Sequence, residues 1–288
     1  MSRVLDIKIY SGISNIFRYN TIFMELLNTD IIDKINVSIC KSTILKTRGE
    51  YDIETWFSEW GIVLKFIMCD DRIKYTTNQG FNLEGYYEVG NRYGITPMIK
   101  LYDNLIDVSV MNRNKLPKNY ITISPKIWAS IPKLVYEKYK TKFLDILNEY
   151  NGVVIIMGER NITYCDEYRV IETYSIYEDL ITNLNNYQDL TISETTDNLK
   201  LEPLKDSLHI INKSDLNVVM TFSGLREIAL FMSENVVALT PPIIGDWSDV
   251  YINIDEIKYD TKNIHLTYNI SDFLGELGEC IKIENLKL

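Results

Sequence analysis

The sequence predicts an α/β protein built from two Rossmann-like domains, each a parallel sheet covered by helices, with a cleft between them. Short apolar runs of strand length alternate along the chain with segments whose apolar residues recur at helical spacing. The run 152–158, GVVIIMG, is apolar almost throughout, as is typical of a strand buried on both faces of its sheet. Parallel sheets bind ligands outside the carboxyl ends of their strands, so we expect a site at those ends.

The first half begins with a β-α-β unit. Residues 4–12, VLDIKIYSG, predict a strand that runs into a glycine loop, and residues 15–28 then have apolar residues at helical spacing. The remaining predicted elements of this half are a strand at 34–40, a helix at 51–61, a strand at 62–68 and a helix at 95–106.

The second half restarts the pattern at 116–125, LPKNYITISP, where a proline precedes a strand that ends in Ser-Pro. We therefore predict domains 1–116 and 117–288, and the final segment, 271–286, either stays with the second domain or returns to the first. The other predicted elements are a helix at 133–150, a strand at 152–158, a helix at 174–187, a strand at 207–213 and a strand-turn-helix-strand unit at 217–242.

The composition is that of a globular protein. Of the 288 residues, 46% are hydrophobic and 24% are charged, which excludes a disordered chain. The net charge of −10 disfavours a large nucleic-acid footprint, although a local basic groove is compatible with it. Heavy use of Ile, Asn, Lys and Tyr indicates an AT-rich coding sequence, such as that of a virus or a low-GC bacterium.

The four cysteines, Cys40, Cys69, Cys165 and Cys280, are widely spaced and form no CxxC pair. This spacing argues against a disulfide framework or a zinc site and favours a reducing compartment. Charged residues interrupt the N-terminal apolar run, which makes it a poor signal peptide, and no uncharged apolar run reaches the roughly 18 residues of a membrane span. We expect a cytoplasmic protein, in the host cytoplasm if it is viral, with no metal and no cofactor.

The strand-turn-helix-strand unit places Ser223 and Gly224 at the start of a helix between two buried strands. A glycine there lets the backbone approach a ligand, and the free N–H groups of the first helical turn favour an anion such as phosphate. A serine before an apolar helix is equally typical of a plain N-cap. Arg226, close by, is either a bidentate clamp for a diphosphate or a solvated surface residue.

Other predicted strand ends carry further candidates. Lys126 and Lys133 flank the loop after the 116–125 strand and are suited to neutralise a departing diphosphate, although each alone is typical of a surface lysine. Gly158 and Glu159 end the next strand, and a carboxylate in that position can bind ribose hydroxyls.

The first half offers weaker candidates. Gly12 and Asn15 lie between a strand and a helix, although tight turns of this kind favour glycine in any case. Asp70 and Asp71 follow the predicted 62–68 strand as a candidate base or metal ligand, and solvated carboxylates are the alternative interpretation.

These motifs resemble glycosyltransferases with the two-domain GT-B fold, most closely the heptosyltransferase-like family, glycosyltransferase family 9. Residues 221–227, TFSGLRE, stand where that family has an Asn-Asp-Ser-Gly-Pro-x-His-like turn. Residues 120–158 resemble its strand, phosphate-contacting loop, helix and next strand. Residues 7–27, IKIYSGISNIFRYNTIFMELL, resemble its N-terminal strand, glycine loop and acceptor-side helix. The resemblance covers most of the chain in element order, with degenerate motifs.

The resemblance implies a nucleotide-sugar donor held by the second domain, a hydroxyl acceptor held by the first, and metal-independent displacement at the anomeric carbon. The implied donor-site residues are Ser124, Lys126, Lys133, Gly158, Glu159, Ser223, Gly224, Leu225, Arg226 and Glu227. The implied acceptor-site residues are Ser11, Gly12 and Arg18, and the catalytic candidates are Asn15, Asp70 and Asp71.

In the turn at 221–227 only Ser223 and Gly224 match the family's motif, and three departures bear on the chemistry. Asn15 stands where the family carries an Asp that serves as general base, and an amide cannot take up a proton. Phe222 replaces an acidic residue and Glu227 replaces a histidine. The sequence therefore supports a fold and a donor-type site more strongly than it supports catalysis.

Two functions follow as hypotheses. The first is a glycosyltransferase that moves a sugar from a nucleotide-sugar to a glycan or, in a viral setting, to a modified DNA base. The sequence pI of about 4.9 disfavours the DNA acceptor, because DNA binding depends on neutralising phosphates. The second is a catalytically lapsed relative that binds a nucleotide or a protein partner.

Overall fold

The computed structural model describes the chain in twelve segments: 2–9, 13–40, 70–78, 86–95, 98–99, 116–128, 131–160, 173–192, 205–220, 224–239, 258–259 and 263–287. The chain divides into two compact units. Unit 1 comprises Met1–Leu105 and Ile252–Asp260, and unit 2 comprises Ile106–Tyr251 and Thr261–Leu288. The boundary predicted after residue 116 stays a prediction, as does a cleft between the domains.

Unit 1 contains a parallel three-stranded sheet in the order β1 (Val4–Ile9), β2 (Lys34–Cys40), β3 (Ile73–Asn78). The helix α1 (Ile13–Asn28) connects β1 to β2. The β-α-β unit predicted for the start of the chain is thereby confirmed. The predicted elements at 51–61 and 62–68 lie outside the described residues.

Helix α1 packs against α2 (Tyr86–Tyr93) and β4 (Met98–Ile99). The predicted helix at 95–106 is wrong at residues 98 and 99, which pair as a strand with β12 (Lys258–Tyr259). A proline at position 97 disfavours a helix that runs through from residue 95, because the residue before a proline is disfavoured in helical conformation and proline lacks an N–H group.

Unit 2 contains a six-stranded sheet in which every neighbouring pair is parallel. Its spatial order is β13 (Ile264–Thr267), β11 (Val236–Leu239), β10 (Leu216–Val219), β5 (Tyr120–Ile123), β7 (Val153–Glu159), β9 (Tyr187–Ile192). The chain starts in the middle at β5, runs outward through β7 to β9, and returns to the other side of β5 at β10. This is the Rossmann order, and the direction of winding reverses between β5 and β10.

Helices cover both faces of the large sheet. On one face α3 (Lys133–Asn148), α4 (Tyr177–Asn183) and α7 (Ile270–Lys287) share a core with alternate residues of the strands, among them Ile123 and Val218. The helices α5 (Lys205–Lys213) and α6 (Gly224–Met232) pack against each other on the opposite face. The predicted fold class, with two Rossmann-like α/β domains, is confirmed.

The prediction of a strand at 207–213 is wrong, because these residues belong to helix α5. The buried positions are Ser207, Leu208, Ile210, Ile211 and Ser214, a spacing of three and four residues that fits one face of a helix. A short apolar run is ambiguous between strand and helix when read from periodicity alone.

The final segment forms α7, which packs against α3 and against the strands β10, β11 and β13. This segment therefore belongs to unit 2, which is the first of the two alternatives predicted for it. Asn269 caps this helix reciprocally with Asp272: the Asp272 N–H donates to Asn269 Oδ1 (2.9 Å), and Asn269 Nδ2 donates to Asp272 Oδ2 (2.7 Å). Among the helices in the described segments, none has the length and apolar character needed to cross a bilayer.

Candidate functional site

The candidate site lies in unit 2 at the carboxyl ends of β5 and β10, where the winding of the sheet reverses. The helices that follow these two strands, α3 and α6, lie on opposite faces of the sheet, and in open α/β sheets the crevice at such a reversal is where ligands bind. Ser124 follows β5, and a short strand β6 (Lys126–Trp128) comes directly after it. After β10, helix α6 begins at Gly224. Ser223 lies outside the described residues.

Three of the predicted donor residues meet at this point, although they come from three separate elements. Gly158 lies near the end of β7 with a φ of +95°, a conformation that L-residues rarely adopt. A methyl group built on Gly158 would lie 2.6 Å from Leu225 Cδ1 and 3.4 Å from Ser124 Oγ. The absent side chain of Gly158 therefore makes room for Leu225, in the first turn of α6, beside Ser124.

A small cavity lies beneath these residues. Its volume is about 10 Å³, which is room for about one water molecule. Its lining includes Thr122, Ser124, Asn217, Leu225 and Ala229. The cavity is too small for a nucleotide, so a ligand at the crevice would lie above it, against the strand ends and the start of α6.

A buried hydrogen-bond network closes the bottom of this region. Asn217, on β10, is 1% exposed. Its Oδ1 accepts from Thr122 Oγ1 (2.5 Å), and its Nδ2 donates to Ser233 Oγ (2.7 Å) and to the Ile211 carbonyl (3.1 Å). These bonds satisfy the amide and tie β5 and β10 to the C-terminal ends of α5 and α6.

Arg226 is buried, with only 2% of its surface exposed, so it is not the solvated surface arginine that was the alternative interpretation. It lies in the first turn of α6, next to Leu225. A guanidinium stays charged in proteins, and the N-terminus of a helix is already a partially positive environment. A buried arginine in this place adds positive potential where the sequence predicts an anion.

The two predicted lysines lie on the β5 side of the crevice. Lys126 is half-buried in β6, which pairs antiparallel with β8 (Thr173–Ser175). Lys133 is exposed and is the first residue of α3, the helix that follows β6 in the chain. They lie at the same sheet edge as Ser124, and their contact with a diphosphate stays a prediction.

A polar cluster that the sequence did not predict stabilises the end of β7. Arg160 Nη2 donates to Asp189 Oδ2 (2.8 Å), Nε donates to Thr191 Oγ1 (3.1 Å), and the guanidinium lies 4.2 Å from the centre of the Tyr177 ring. Tyr177 donates its hydroxyl proton to Asp189 Oδ2 (2.8 Å). Burial and this bond to Asp189 raise the pKa of Tyr177 to about 12, so it remains a donor at neutral pH.

This cluster holds the backbone around Glu159, which is the last residue of β7 and whose side chain lies outside the described part. The side chain of Glu227, a residue of α6, likewise lies outside the described part. Their predicted contacts with a donor stay predictions.

The acceptor-side candidates of unit 1 divide into two groups. Ser11 and Gly12 lie outside the described residues, and Asn15 lies in the first turn of α1 with its side chain outside them. Arg18 is only 7% exposed, and its carbonyl accepts a hydrogen bond from Thr21 Oγ1 (2.7 Å). The contact of the Arg18 side chain with an acceptor stays a prediction.

Asp70 and Asp71 need a correction. They directly precede β3, so they lie at the amino-terminal edge of the parallel sheet, opposite the edge that α/β proteins use for ligands. The six residues of β3 span roughly 20 Å, which separates these carboxylates from the carboxyl edge. In the sequence they follow a predicted strand at 62–68, and nothing in the sequence shows that they come just before another strand, β3.

Asp70 is also committed to an ion pair. Arg72 Nη2 donates to Asp70 Oδ2 (2.6 Å), Nε donates to Oδ1 (2.9 Å), and Nη1 donates to the Leu27 carbonyl at the end of α1 (3.1 Å). Hydrogen bonding by Arg72 holds the pKa of Asp70 below its usual value, which weakens it as a base. The pair therefore joins α1 to the start of β3.

We expect Asp70→Asn to lower the free energy of unfolding at pH 7 by about 0.5–1 kcal/mol, because Arg72 is 41% exposed and such pairs are screened. A carboxylate whose pKa is depressed in the folded state stabilises the protein above its unfolded pKa of about 3.9. That stability is lost as the pH falls through the lower folded value. Urea titrations at pH 7 and at successively lower pH should therefore show a difference between the two proteins that shrinks as the pH falls below about 3.9. If Asp70→Asn keeps the stability of the natural protein but loses turnover, Asp70 is again the candidate base.

Within the described segments, no group of three or more His, Cys, Asp or Glu side chains is arranged to hold a metal ion.

Comparison with known proteins finds no matching protein-family model and no matching curated sequence. Among solved structures, a glycosyl transferase family 9 protein from Veillonella parvula is similar over 100% of this chain and 98% of its own, with 10% identity and a TM-score of 0.48. E. coli heptosyltransferase WaaC with ADP-2-deoxy-2-fluoro heptose is similar over 99% of each chain, with 8% identity and a TM-score of 0.45.

A third similar structure is the iron-containing dodecameric glycosyltransferase TibC from enterotoxigenic E. coli. The similarity covers 82% of this chain and 58% of that protein, with 11% identity and a TM-score of 0.46. The chain thus spans little more than half the length of this relative. All three proteins are glycosyltransferases, the class of enzyme that the sequence resembles.

Proposed function

We propose that the protein is a glycosyltransferase that binds the nucleoside diphosphate of a sugar donor at the crevice between β5 and β10. The convergence of Ser124, Gly158 and Leu225 at the one point where the winding of the sheet reverses supports this proposal most directly. These residues were predicted as donor contacts from the sequence. The choice of a sugar donor over another nucleotide rests on the resemblance of residues 221–227 to the family's donor turn.

In this proposal the diphosphate lies at the start of α6. The first N–H groups of that helix have no partner within the helix, and Gly224 lets a phosphate approach the backbone. Arg226 and Lys126 add positive charge near the same edge. Negative charge on the diphosphate grows as its bond to the sugar breaks, so these groups stabilise the transition state more than the ground state.

The reaction is direct displacement at the anomeric carbon, without a metal. An acceptor hydroxyl oxygen forms the new bond to that carbon, the bond from carbon to the diphosphate oxygen breaks with its electron pair, and the hydroxyl proton leaves to a base or to solvent. We propose that unit 1 holds the acceptor, which is a glycan or another hydroxyl compound. The acidic charge of the chain makes DNA the weaker acceptor candidate.

The second candidate is a protein that binds the nucleotide and no longer transfers sugar. Asn15, in the first turn of α1, favours it, because a positioned base typically contributes about 10²–10⁴-fold in rate and an amide cannot supply it. Both candidates require the same donor site, and they differ in turnover. Release of nucleoside diphosphate from the donor that binds most tightly distinguishes them.

The test is a thermal-shift panel of nucleoside diphosphates and their sugar derivatives. A ligand present at about 100 times its Kd adds roughly 2.7 kcal/mol to the free energy of unfolding. We expect Gly224→Val to abolish this stabilisation, because a branched side chain at the first residue of α6 keeps a phosphate away from the backbone.

Gly275→Val is the matched control, since Gly275 lies within α7 and a Cβ built there meets no atom within 4 Å. It introduces the same side chain on a helix that does not touch the crevice, and the variant should bind like the natural protein. A folded Gly224→Val protein that keeps its ligand affinity would place the diphosphate elsewhere. If no member of the panel stabilises the natural protein, the proposed function is wrong.

A further inference from the structure

Leu225 has an unusual place for an apolar side chain. It lies in the first turn of α6, at the edge where the donor diphosphate is proposed to bind, and it is half-buried. Its Cδ1 occupies the space that a side chain at Gly158 would need, with Ser124 Oγ close to the same point. The leucine thus bridges the ends of β7 and β5 from the third element of the site.

Two features fix the leucine there. Gly158 has a φ of +95° and no side chain, so the strand end leaves an open space that Leu225 fills. Below the leucine lies the small cavity whose lining includes Thr122 and Asn217, and their buried hydrogen bond holds that lining in place. Leu225 and Ser124 are themselves part of the lining of this cavity.

The free space around Leu225 is small. With leucine in place, only about 10 Å³ remains beneath it. A smaller residue would join that cavity to the space vacated by the side chain, and a larger one would project upward, because Gly158 and Ser124 leave no room sideways. A difference of one methylene in an apolar pocket changes discrimination between ligands by about 10–200-fold.

We infer that Leu225 is the specificity-determining residue of the donor site: it forms the bottom of the crevice and sets the size of nucleoside diphosphate derivative that fits there. The inference rests on the proposed function, since it assigns the selectivity of that same site. Leu225 does not bind the phosphates, which are left to the backbone N–H groups of α6 and to the basic side chains.

The experiment measures Kd for inorganic pyrophosphate, UDP, ADP and their hexose derivatives with the natural protein, Leu225→Ala, Leu225→Val and Leu225→Phe. The readout is the ratio of affinities between the bulkiest and the smallest ligand that the natural protein binds. We expect Leu225→Ala to change this ratio at least tenfold in favour of the bulkiest ligand and Leu225→Phe to change it in the opposite direction. Leu225→Val should lie between the natural protein and Leu225→Ala, and pyrophosphate affinity should stay constant across the series.

The control is the same set of substitutions at Leu134, which is 86% exposed on α3. They should leave every ratio unchanged. If Leu225→Ala fails to fold, Leu225→Val still removes one methylene and decides the outcome. Ratios that stay constant across the Leu225 series, in a protein that binds nucleoside diphosphates, would overturn this inference and leave the proposed function standing. A natural protein that binds neither pyrophosphate nor any nucleoside diphosphate would overturn both.

Discussion

Replacing Arg226 by alanine is expected to lower the free energy of unfolding by about 2–4 kcal/mol and to weaken nucleoside diphosphate binding by about 10–150-fold. The first effect follows because Arg226 is among the largest fully buried side chains of the described residues, and truncation leaves a cavity where its stem was packed. The second follows because hydrogen bonds from a charged group contribute about 1.5–3 kcal/mol each, and 1.4 kcal/mol corresponds to tenfold in affinity.

Two further variants separate these effects. Arg226→Met keeps most of the packed volume and removes the charge, so it should recover much of the stability without recovering the affinity. Arg226→Lys keeps the charge and loses the planar fork, so it should recover only part of the affinity. Urea denaturation and calorimetric titration with the tightest-binding nucleoside diphosphate measure the two quantities.

Arg3→Met serves as the control, since Arg3 lies in unit 1 with its side chain 55% exposed and pairs with Asp33 on the surface. It should leave nucleotide affinity unchanged. If Arg226→Met binds the nucleotide as tightly as the natural protein does, the guanidinium is a structural group and the diphosphate is held by other residues.

The positions of the donor candidates could be predicted from the sequence because the rule that locates them is simple. In a parallel sheet all carboxyl ends lie at one edge, so residues that follow buried strands are brought together whatever their separation in the chain. Ser124, Gly158 and Leu225 are up to 101 residues apart in number and still converge for this reason. The rule needs only the strand ends, which the apolar runs at 120–123, 153–157 and 216–219 mark clearly.

The same rule fails where the sequence does not show on which side of a residue the strand lies. Asp70 was assigned to the end of a predicted strand at 62–68, whereas the structure has it just before β3. The two positions lie at opposite edges of a sheet, so an error of a few residues in a strand boundary moves a carboxylate from the ligand edge to the far edge. The run 207–213 shows the related ambiguity between strand and helix.

Long-range polar contacts had no signal in the sequence at all. The carboxylate of Asp189 joins Arg160 and Tyr177 through side chains that come from different elements. Nothing in the spacing of one arginine, one tyrosine and one aspartate identifies them as partners, because hydrogen-bond geometry depends on the packed backbone. The burial of Arg226 was missed for the same reason: an arginine among apolar helix residues is normally exposed.

Substituting Gly158 measures how much the position of Leu225 contributes to stability and to nucleotide binding. We expect Gly158→Ala to lower the free energy of unfolding by about 2–3 kcal/mol, through two separate costs. A φ of +95° is unfavourable for any L-residue, by roughly 1–2 kcal/mol, and the new Cβ, 2.6 Å from Leu225 Cδ1, forces the leucine out of its position. The displaced leucine would project into the crevice, so nucleoside diphosphate affinity should fall at least tenfold as well.

Gly94→Ala isolates the backbone cost, because Gly94 has a φ of +68° and a Cβ built there meets no atom within 4 Å. It should lose only about 1–2 kcal/mol and no nucleotide affinity. In the double variant Gly158→Ala/Leu225→Ala the clash is absent, so affinity should return toward that of Leu225→Ala while the backbone cost remains. This recovery is a coupling between residues 158 and 225 that a double-mutant cycle measures directly. If the two substitutions are instead additive in nucleotide affinity, Gly158 acts only through its own backbone, and the place of Leu225 does not depend on it.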